Sequence, residues 1–297
     1  MRNLAELAAA WIDSRVSSGV TQVSARSYRF GLLPLCKTLG SKPAATLSLD
    51  KLVEYRRHLT ETVSAGTAKI RWDLAIAVVR WGQEEGLVPD FRIPRDLRRM
   101  RGAPPFRRVW TPAEIQRLVD AANPQMRACI LLGGNLGYGN RDCARLELRH
   151  INGRMVDAIR HKTGAERRGW LWPETLGALE EWPPPFLNRK GKPLVRDGND
   201  YLRIGFRTLV RRCGIAANGR GFYSLRRAYR TAVDDHWDRP AIDLTMGHIT
   251  PGMGARYVAW IDDDRLRAVS IHARSKLLGV ASERDVVVPP GRAAAAC

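Results

Sequence analysis

The chain has 297 residues and carries 49 Lys and Arg against 30 Asp and Glu, a formal charge of +19 with a pI near 10.6. Its 44% content of hydrophobic residues excludes intrinsically disordered and low-complexity proteins, and its length fits about two domains of 100 to 200 residues. The surplus of cations favours a polyanionic partner, because each Lys or Arg that neutralises a phosphate releases a condensed counterion. We therefore expect a nucleic acid as the partner, ahead of an anionic membrane.

Cysteine, histidine and apolar residues narrow the class further. No run approaches the 18 or so apolar residues of a membrane span, and Glu6 and Asp13 interrupt the N-terminal segment before any cleavage-like site. The five cysteines are scattered without a C-x-x-C pair, and the six histidines show no metal-type spacing. We expect a cytoplasmic protein, associated with the nucleoid if its partner is DNA, with no disulfide framework, no metal and no cofactor.

Residues 1–90 are predicted to form a bundle of four short helices with basic outer faces. The first begins with a capping box, Asn3 and Glu6, and continues with apolar residues at helical spacing. The second is predicted over 24–40 with a break at Pro34, and the third lies in LDKLVEYRRHL. The fourth is predicted to place on one face Ile70, Leu74, Val78 and Trp81.

Residues 91–108 differ in composition and are predicted to link two domains. The segment holds three prolines and only Asp96 as an acidic residue. Its arginines are Arg92, Arg95, Arg98, Arg99, Arg101, Arg107 and Arg108. Such a run is either a solvated tether or a segment that follows phosphates, and the neighbouring basic bundle favours phosphate binding.

Residues 109–279 are predicted to form a second, mixed domain, followed by a loose tail over 280–297. Thr111 and Glu114 form a capping box, and the apolar segment MRACILLGGNLG is predicted to be a buried helix. Short extended runs on both sides of KTGAE predict a β-hairpin, and helices are predicted to resume beyond it. The fold class is therefore mainly α with a small β-hairpin or sheet (α+β).

Four segments of this domain carry residues suited to phosphate chemistry. They are Gly139-Asn140-Arg141 at the end of the buried helix, His161-Lys162-Thr163-Gly164 at the hairpin turn, Tyr223-Ser224-Leu225-Arg226, and Met246-Gly247-His248 followed nine residues later by Tyr257. In this order and context they resemble the catalytic motifs of the tyrosine recombinases, the phage-integrase family. The N-terminal bundle resembles the core-binding domain of that family, so the resemblance covers about residues 4–278.

The resemblance implies a site-specific recombinase or integrase that cleaves and rejoins duplex DNA through a 3′-phosphotyrosyl intermediate. Tyr257 is implied as the nucleophile, Arg141 and Arg226 as the phosphate-binding cations, and Lys162 as the general acid for the leaving 5′-oxygen. Tyr223 and His248 are implied as further groups at the phosphate. The implied partners are double-stranded DNA, further copies of the chain in a tetramer on DNA, and accessory DNA-bending proteins.

The chemistry of the residues agrees with this assignment. A phenol with a pKa of about 10 is ionised in only about one part in a thousand at pH 7, so a tyrosine nucleophile needs an electropositive pocket. Two arginines can supply it, since each guanidinium is always charged and can grip two phosphate oxygens. A magnesium ion then becomes unnecessary.

The sequence departs from the family pattern at three positions, and other interpretations stay open. Tyr223 stands where the family usually has a histidine, Ala144 where it has an acidic residue that orients the first arginine, and Arg227 where a histidine commonly follows. Asp142 or Glu147 are candidates to replace the missing carboxylate.

Each site residue also has a purely structural interpretation: an exposed turn lysine, a histidine that caps carbonyls, a surface Tyr–Arg pair, a packed tyrosine. The alternative functions are a catalytically inactive DNA-binding relative, strand cleavage of the type IB topoisomerase kind and, more remotely, a basic RNA-binding or membrane-surface protein.

Overall fold

The computed structural model describes residues 3–102, 108–196, 198–248 and 260–280, and the chain divides into two compact units, Met1–Phe106 and Arg107–Cys297. Across these described stretches, no helix is both long and apolar enough to cross a membrane. Both units are mainly helical, and the second also contains a small antiparallel sheet. The predicted fold class is confirmed.

Four helices form the first unit: α1 (Leu4–Ser17), α2 (Gln22–Leu39), α3 (Leu49–Thr62) and α4 (Ala65–Glu84). The predicted capping box of α1 is present, because the Asn3 side chain accepts from the Glu6 N–H at 2.8 Å and the Glu6 carboxylate accepts from the Asn3 N–H at 3.1 Å. The apolar residues after it face the core: Leu4, Leu7, Ala8, Trp11 and Ile12 are buried.

The predicted break of the second helix at Pro34 is wrong. Helix α2 runs through this proline without interruption, and Thr21 caps its start. A proline inside a helix removes the donor to the carbonyl four residues earlier, here that of Phe30. Because Phe30 lies on the solvent side of the helix, 63% exposed, water can hydrogen-bond that carbonyl, which lowers the cost of the missing bond.

The predicted apolar face of α4 is correct except at Ile70, which is 62% exposed. The other three predicted residues lie in or against the core of the first unit: Leu74, Val78 and Trp81. The buried face is also wider than predicted, because it includes Trp72 and Ile76. Apolar residues extend around more than one side of this helix, so its periodicity alone does not fix the limits of the buried face. The Trp72 indole donates to the carbonyl of Leu97 at 2.8 Å, so the chain beyond the helix covers this additional part of the face.

Residues 91–102, predicted as part of the linker, pack against the helical bundle. Ile93 and Met100 are buried in its core. Arg56 of α3 donates to the carbonyl of Asp96 at 3.4 Å, in addition to the bond from Trp72. The arginines of this segment are therefore held on a folded surface rather than on a free strand.

The second unit is built around one buried helix, α6 (Pro124–Leu136). The other helices described in this unit are α5 (Pro112–Ala121), α7 (Asn140–Ala144), α8 (Pro173–Glu181), α9 (Tyr201–Arg212), α10 (Tyr223–Ala232), α11 (Arg239–Met246) and α12 (Asp263–Leu278). Every residue of α6 from Ala128 to Leu136 is buried, as predicted for this segment. The capping box of Thr111 and Glu114 is present as predicted.

The predicted hairpin is confirmed and belongs to a three-stranded antiparallel sheet of β1 (Ile151–Asn152), β2 (Met155–Arg160) and β3 (Ala165–Trp170). The pairs run from Met155 opposite Trp170 to Arg160 opposite Ala165. A second antiparallel pair consists of β4 (Val195–Arg196) and β5 (Asn199–Asp200).

Strand β3 lies tightly against the ends of two helices. A Cβ atom on Gly169 would stand 2.6 Å from Leu136 Cδ2, at the end of α6, and 3.2 Å from Thr245 Cγ2, near the end of α11. Any larger residue at this position would push these two side chains away from the strand. The strand is thereby brought within reach of the carbonyl groups at both helix ends, where the candidate site is found.

Candidate active site

The site is built on the C-terminal ends of α6 and α11. Each helix stops at a glycine in the left-handed conformation, Gly137 with φ +62° and Gly247 with φ +61°. The last carbonyl groups of a helix lack partners within the helix and carry partial negative charge. Where two such helix ends lie close together, their carbonyl oxygens can accept hydrogen bonds from guanidinium groups. The second of these ends lies directly before His248.

Arg226, a candidate phosphate-binding residue on α10, spans these two ends. Its side chain is buried; Nη1 donates to the carbonyl of Gly137 at 2.6 Å, and Nη2 donates to the carbonyl of Met246 at 2.9 Å and to His248 Nε2 at 2.8 Å. A guanidinium has five N–H donors, so two have no partner among the described residues. Burial, Arg167 and Arg160 lower the pKa of Arg226 to about 10, which leaves it charged at neutral pH.

The contact with Arg226 fixes the proton position on His248. Because a guanidinium can only donate, Nε2 of His248 is the acceptor and the ring proton lies on Nδ1, which donates to Asp243 Oδ1 at 3.3 Å. Burial and the charge of Arg226 lower the pKa of His248. The histidine is therefore neutral at neutral pH, with its ring oriented from both sides.

We predict that this arrangement makes stability depend on pH. The pKa of His248 is lower in the folded state, so the unfolded chain binds more protons in the range just below the ordinary histidine pKa of about 6.5. The contribution of His248 to the free energy of unfolding is fully present above the ordinary histidine pKa. It is lost as the pH falls toward the lower pKa of the folded state. Urea unfolding between about pH 5 and pH 8 should show a steeper acid loss for the wild type than for His248→Gln. Identical slopes would contradict the assignment.

Two further arginines complete the cluster, and sequence reasoning missed both. Arg167 on β3 is buried and donates from Nη2 to the carbonyl of Leu136 at 2.7 Å and from Nε to that of Thr245 at 3.0 Å. Arg160 at the end of β2 donates to the carbonyl of Gly247 at 3.2 Å, and its Nε is buried without a partner in the described stretches of chain. Side chains alternate between the two faces of a strand, and this alternation places both arginines on the buried face. Charged residues are, however, normally expected on the solvent face.

Arg141 lies beyond the buried helix and does not end it. Helix α6 stops at Leu136, and Arg141 belongs to the separate short helix α7, because Gly137 turns the chain between them. Its side chain is exposed and makes no hydrogen bond or ion pair with any other residue that the structure describes. It is thus available to a ligand.

The carboxylate next to Arg141 is that of Asp142, one of the two candidates to replace the acidic residue that is missing at Ala144. Asp142 Oδ2 accepts from the Gly139 N–H at 2.8 Å and lies 3.1 Å from Arg167 Nη1. Glu147, the other candidate, pairs with Arg149 at 3.0 Å. Asp142 therefore fixes the start of α7 and reaches Arg167 rather than Arg141.

The remaining candidates differ in how the structure places them. Tyr223, at the start of α10, is 51% exposed, and its ring stands 3.3 Å from where a Cβ of Gly139 would be, at the beginning of the helix of Arg141. Lys162 is exposed at the hairpin turn, without a partner among the residues described. Tyr257 lies outside the described residues, as does the predicted tail from 281 onward.

Some of the predicted DNA-binding arginines of the first unit line a pocket. Those described there are exposed: Arg92, Arg95, Arg98, Arg99 and Arg101. Arg108, at the start of the second unit, is also exposed, and Arg107 lies outside the described residues. Three of them, Arg95, Arg98 and Arg99, line a pocket of about 420 Å³ together with Arg80 of α4, which sequence reasoning missed. Four guanidinium groups without a carboxylate in the lining suit an anion.

Nothing in the described part of the chain suggests a metal ion, because it contains no group of three His, Cys, Asp or Glu residues that could hold one.

Comparisons with known proteins agree with this architecture. No protein-family model matches the chain. No curated protein matches it by sequence. Among solved structures, a lambda integrase dimer bound to a COC′ core site is 16% identical with a TM-score of 0.69, covering 88% of this chain and 79% of its own. A lambda integrase tetramer bound to a Holliday junction is 14% identical with a TM-score of 0.68, covering 88% and 80%.

The Tn1549 transposon integrase, solved in complex with circular intermediate DNA, is 17% identical with a TM-score of 0.65, covering 90% of this chain and 99% of its own. At such identities a likeness of structures establishes the fold and not the activity. The chain therefore has the fold of the tyrosine-recombinase integrases.

Proposed function

We propose that this protein is a site-specific DNA recombinase that cleaves and rejoins duplex DNA through Tyr257. The observation that carries the proposal is Arg226, which is held between two helix ends beside His248 with two donors left for an anion. A buried guanidinium with spare donors is suited to an oxyanion such as a phosphodiester. The fold shared with integrases solved on DNA supports the same assignment.

In the proposed reaction Tyr257 attacks the scissile phosphorus and the bond from phosphorus to the 5′-oxygen breaks. Arg226 and Arg141 bind the non-bridging oxygens and stabilise the charge that develops on them. Their positive charge favours the phenolate form of the attacking tyrosine, whose proton leaves to water. Lys162 gives its proton to the departing 5′-oxygen, and a 5′-hydroxyl from a partner strand reverses the step without ATP.

Tyr223 and His248 serve as hydrogen-bonding and orienting groups in this mechanism. The phenol of Tyr223 can donate to a phosphate oxygen but cannot act as a base near neutral pH. His248, whose Nε2 already accepts from Arg226, keeps that guanidinium oriented. This assignment removes the need for the histidine that the family usually has at position 223.

Double-stranded DNA is the proposed partner, and strand exchange between two duplexes requires several copies of the chain on DNA. One of the similar integrases was solved as a dimer on its core site and as a tetramer on a Holliday junction. We propose a tetramer on DNA for this protein too, with accessory DNA-bending proteins as further partners.

The pocket of Arg80, Arg95, Arg98 and Arg99 is proposed to grip DNA phosphates. The variant Arg80→Ala/Arg99→Ala should weaken DNA binding and make the slope of log K against log salt less steep by about one for each lost phosphate contact. Arg15→Ala, an exposed arginine of α1 that does not line the pocket, serves as the control. Fluorescence anisotropy over a range of salt concentrations measures both slopes, and equal slopes for the pocket variant and the wild type would remove the pocket from the interface.

The test of the function uses nicked duplexes whose sequence has been selected from a random pool for tight binding to the protein. The nick lets the short 5′-fragment diffuse away, so a cleaving enzyme stays trapped as a covalent adduct visible on a denaturing gel. The proposal expects an adduct for the wild type and none for Tyr257→Phe. Tight binding without any adduct would instead identify an inactive DNA-binding relative.

A further inference from the structure

Arg167 contacts three separate segments of the second unit through its three nitrogen atoms. Nε donates to the carbonyl of Thr245 in α11 at 3.0 Å, Nη2 donates to that of Leu136 at the end of α6 at 2.7 Å, and Nη1 lies 3.1 Å from Asp142 Oδ2 in α7. The side chain is 2% exposed. One buried group on β3 thus ties together three helix termini.

Each of these contacts is next to a residue of the proposed phosphate site. Asp142 follows Arg141 directly, and its Oδ2 also accepts from the Gly139 N–H, so it fixes the start of the helix that carries Arg141. Thr245 precedes Met246, whose carbonyl holds Arg226. The contacts of Arg167 therefore fix the position of Arg141 relative to that of Arg226, although the two residues lie on different helices.

Arg167 itself is not placed to bind a substrate. All three of its nitrogen atoms have protein partners, and its guanidinium carbon lies 3.6 Å from the centre of the Tyr138 ring. Stability alone gives no strong reason for a buried ion pair, because apolar residues of similar volume are often as stabilising. A role in holding charged neighbours at a fixed spacing explains the presence of this buried ion pair.

We propose that Arg167 is a positioning residue that, with Asp142, sets the spacing of Arg141, Arg226 and His248 around the phosphate. The inference rests on the proposed recombinase function and assigns Arg167 a part in it that none of the four motifs contains. A lysine at this position keeps the charge but cannot reach three partners at once. The expected result of Arg167→Lys is therefore a displaced site in a folded protein.

The first test compares single-turnover adduct formation on the nicked duplex. Arg167→Lys should slow it about 10- to 100-fold, with DNA affinity unchanged, as for other groups that orient catalytic residues. Asp142→Asn should slow it to a similar extent, and the double variant should be about as slow as either single one, because the two residues act as a pair. Additive losses in the double variant would contradict the pairing.

A substrate with a bridging sulfur at the 5′-position separates this role from an effect on Lys162, which lies on the same hairpin. Tyr257 displaces a thiolate there, the bond from phosphorus to sulfur breaks, and the leaving group needs no proton. Lys162→Ala should recover on this substrate, whereas Arg167→Lys should remain slow. Recovery of Arg167→Lys would mean that it acts through Lys162, which overturns the proposal.

Arg274→Lys is the matched control, since Arg274 is equally buried and pairs with Glu174 on α8, away from these contacts. It should lose thermal stability without slowing the reaction at a temperature where all variants are folded. A loss of rate equal to that of Arg167→Lys would show that weakened packing suffices, and would overturn the positioning role.

A readout independent of activity separates failure of this inference from failure of the proposed function. NMR titration of the His248 ring should show its pKa raised toward the ordinary value in Arg167→Lys, because Arg226 no longer sits against it, and unchanged in Arg274→Lys. An unchanged titration in Arg167→Lys would overturn the inference, even if the wild type forms no adduct with any DNA.

Discussion

Replacing Arg226 with lysine is expected to slow formation of the covalent adduct about 10²- to 10³-fold, the loss typical of removing one preorganised donor from a developing oxyanion. The guanidinium reaches the carbonyls of Gly137 and Met246 and His248 Nε2 at the same time. A lysine carries one point charge on a flexible stem and cannot hold these partners while it also binds two phosphate oxygens. DNA affinity should change little, since many other cations contribute to it.

Arg230→Lys on the same helix is the control for this prediction. Arg230 is only partly buried and forms an ion pair with Asp234, and exposed pairs of this kind contribute little to stability. Its adduct rate should equal that of the wild type. Single-turnover gels measure the rate, and circular dichroism establishes that each variant is folded. A wild-type rate in Arg226→Lys would remove this arginine from the chemistry.

Replacing Trp172 with alanine is expected to lower the free energy of unfolding of the second unit by about 3 to 5 kcal/mol, the usual cost of a large cavity in a core. The Trp172 ring is buried against α6, and its Nε1 donates to the carbonyl of Ser270 in α12 at 2.8 Å. Its backbone N–H donates to the buried side chain of Asn135 at 2.8 Å. Because Trp172 directly precedes α8, it joins the start of that helix to α6 and α12 at the centre of the unit.

Trp237→Ala provides the comparison, because Trp237 is 77% exposed and should change stability by no more than about 0.5 kcal/mol. Urea unfolding followed by circular dichroism measures both variants. Equal losses for the two tryptophans would contradict the central position assigned to α6 and the packing around Trp172.

Local signals were sufficient to predict much of the fold. Asn3 with Glu6 and Thr111 with Glu114 are capping boxes whose side-chain chemistry is complete within four residues. Gly247 ends its helix for a similarly local reason, since the left-handed conformation there favours glycine. Features of this kind depend on neighbours in sequence and can be read without the tertiary structure.

Features that depend on distant contacts were not predictable in the same way. That Trp72 of α4 is buried depends on the chain around Leu97, which accepts a hydrogen bond from its indole. That α2 continues through Pro34 follows from the surroundings of the helix, where the carbonyl left without a donor belongs to the exposed Phe30. Arg167 was missed because its partners come from helices separated from it along the chain. The motifs predicted Arg226 and His248 as site residues. They did not predict that carbonyl groups at the ends of helices accept hydrogen bonds from the arginines.

The most direct measurement of the central claim is the identity of the residue that becomes linked to DNA. The adduct trapped on the nicked duplex is digested with nuclease and protease, and the peptide that carries the remaining nucleotide is sequenced by tandem mass spectrometry. The account predicts a nucleotide joined through its 3′-phosphate to the phenolic oxygen of Tyr257. A nucleotide on any other residue, or one joined through its 5′-phosphate, would contradict it.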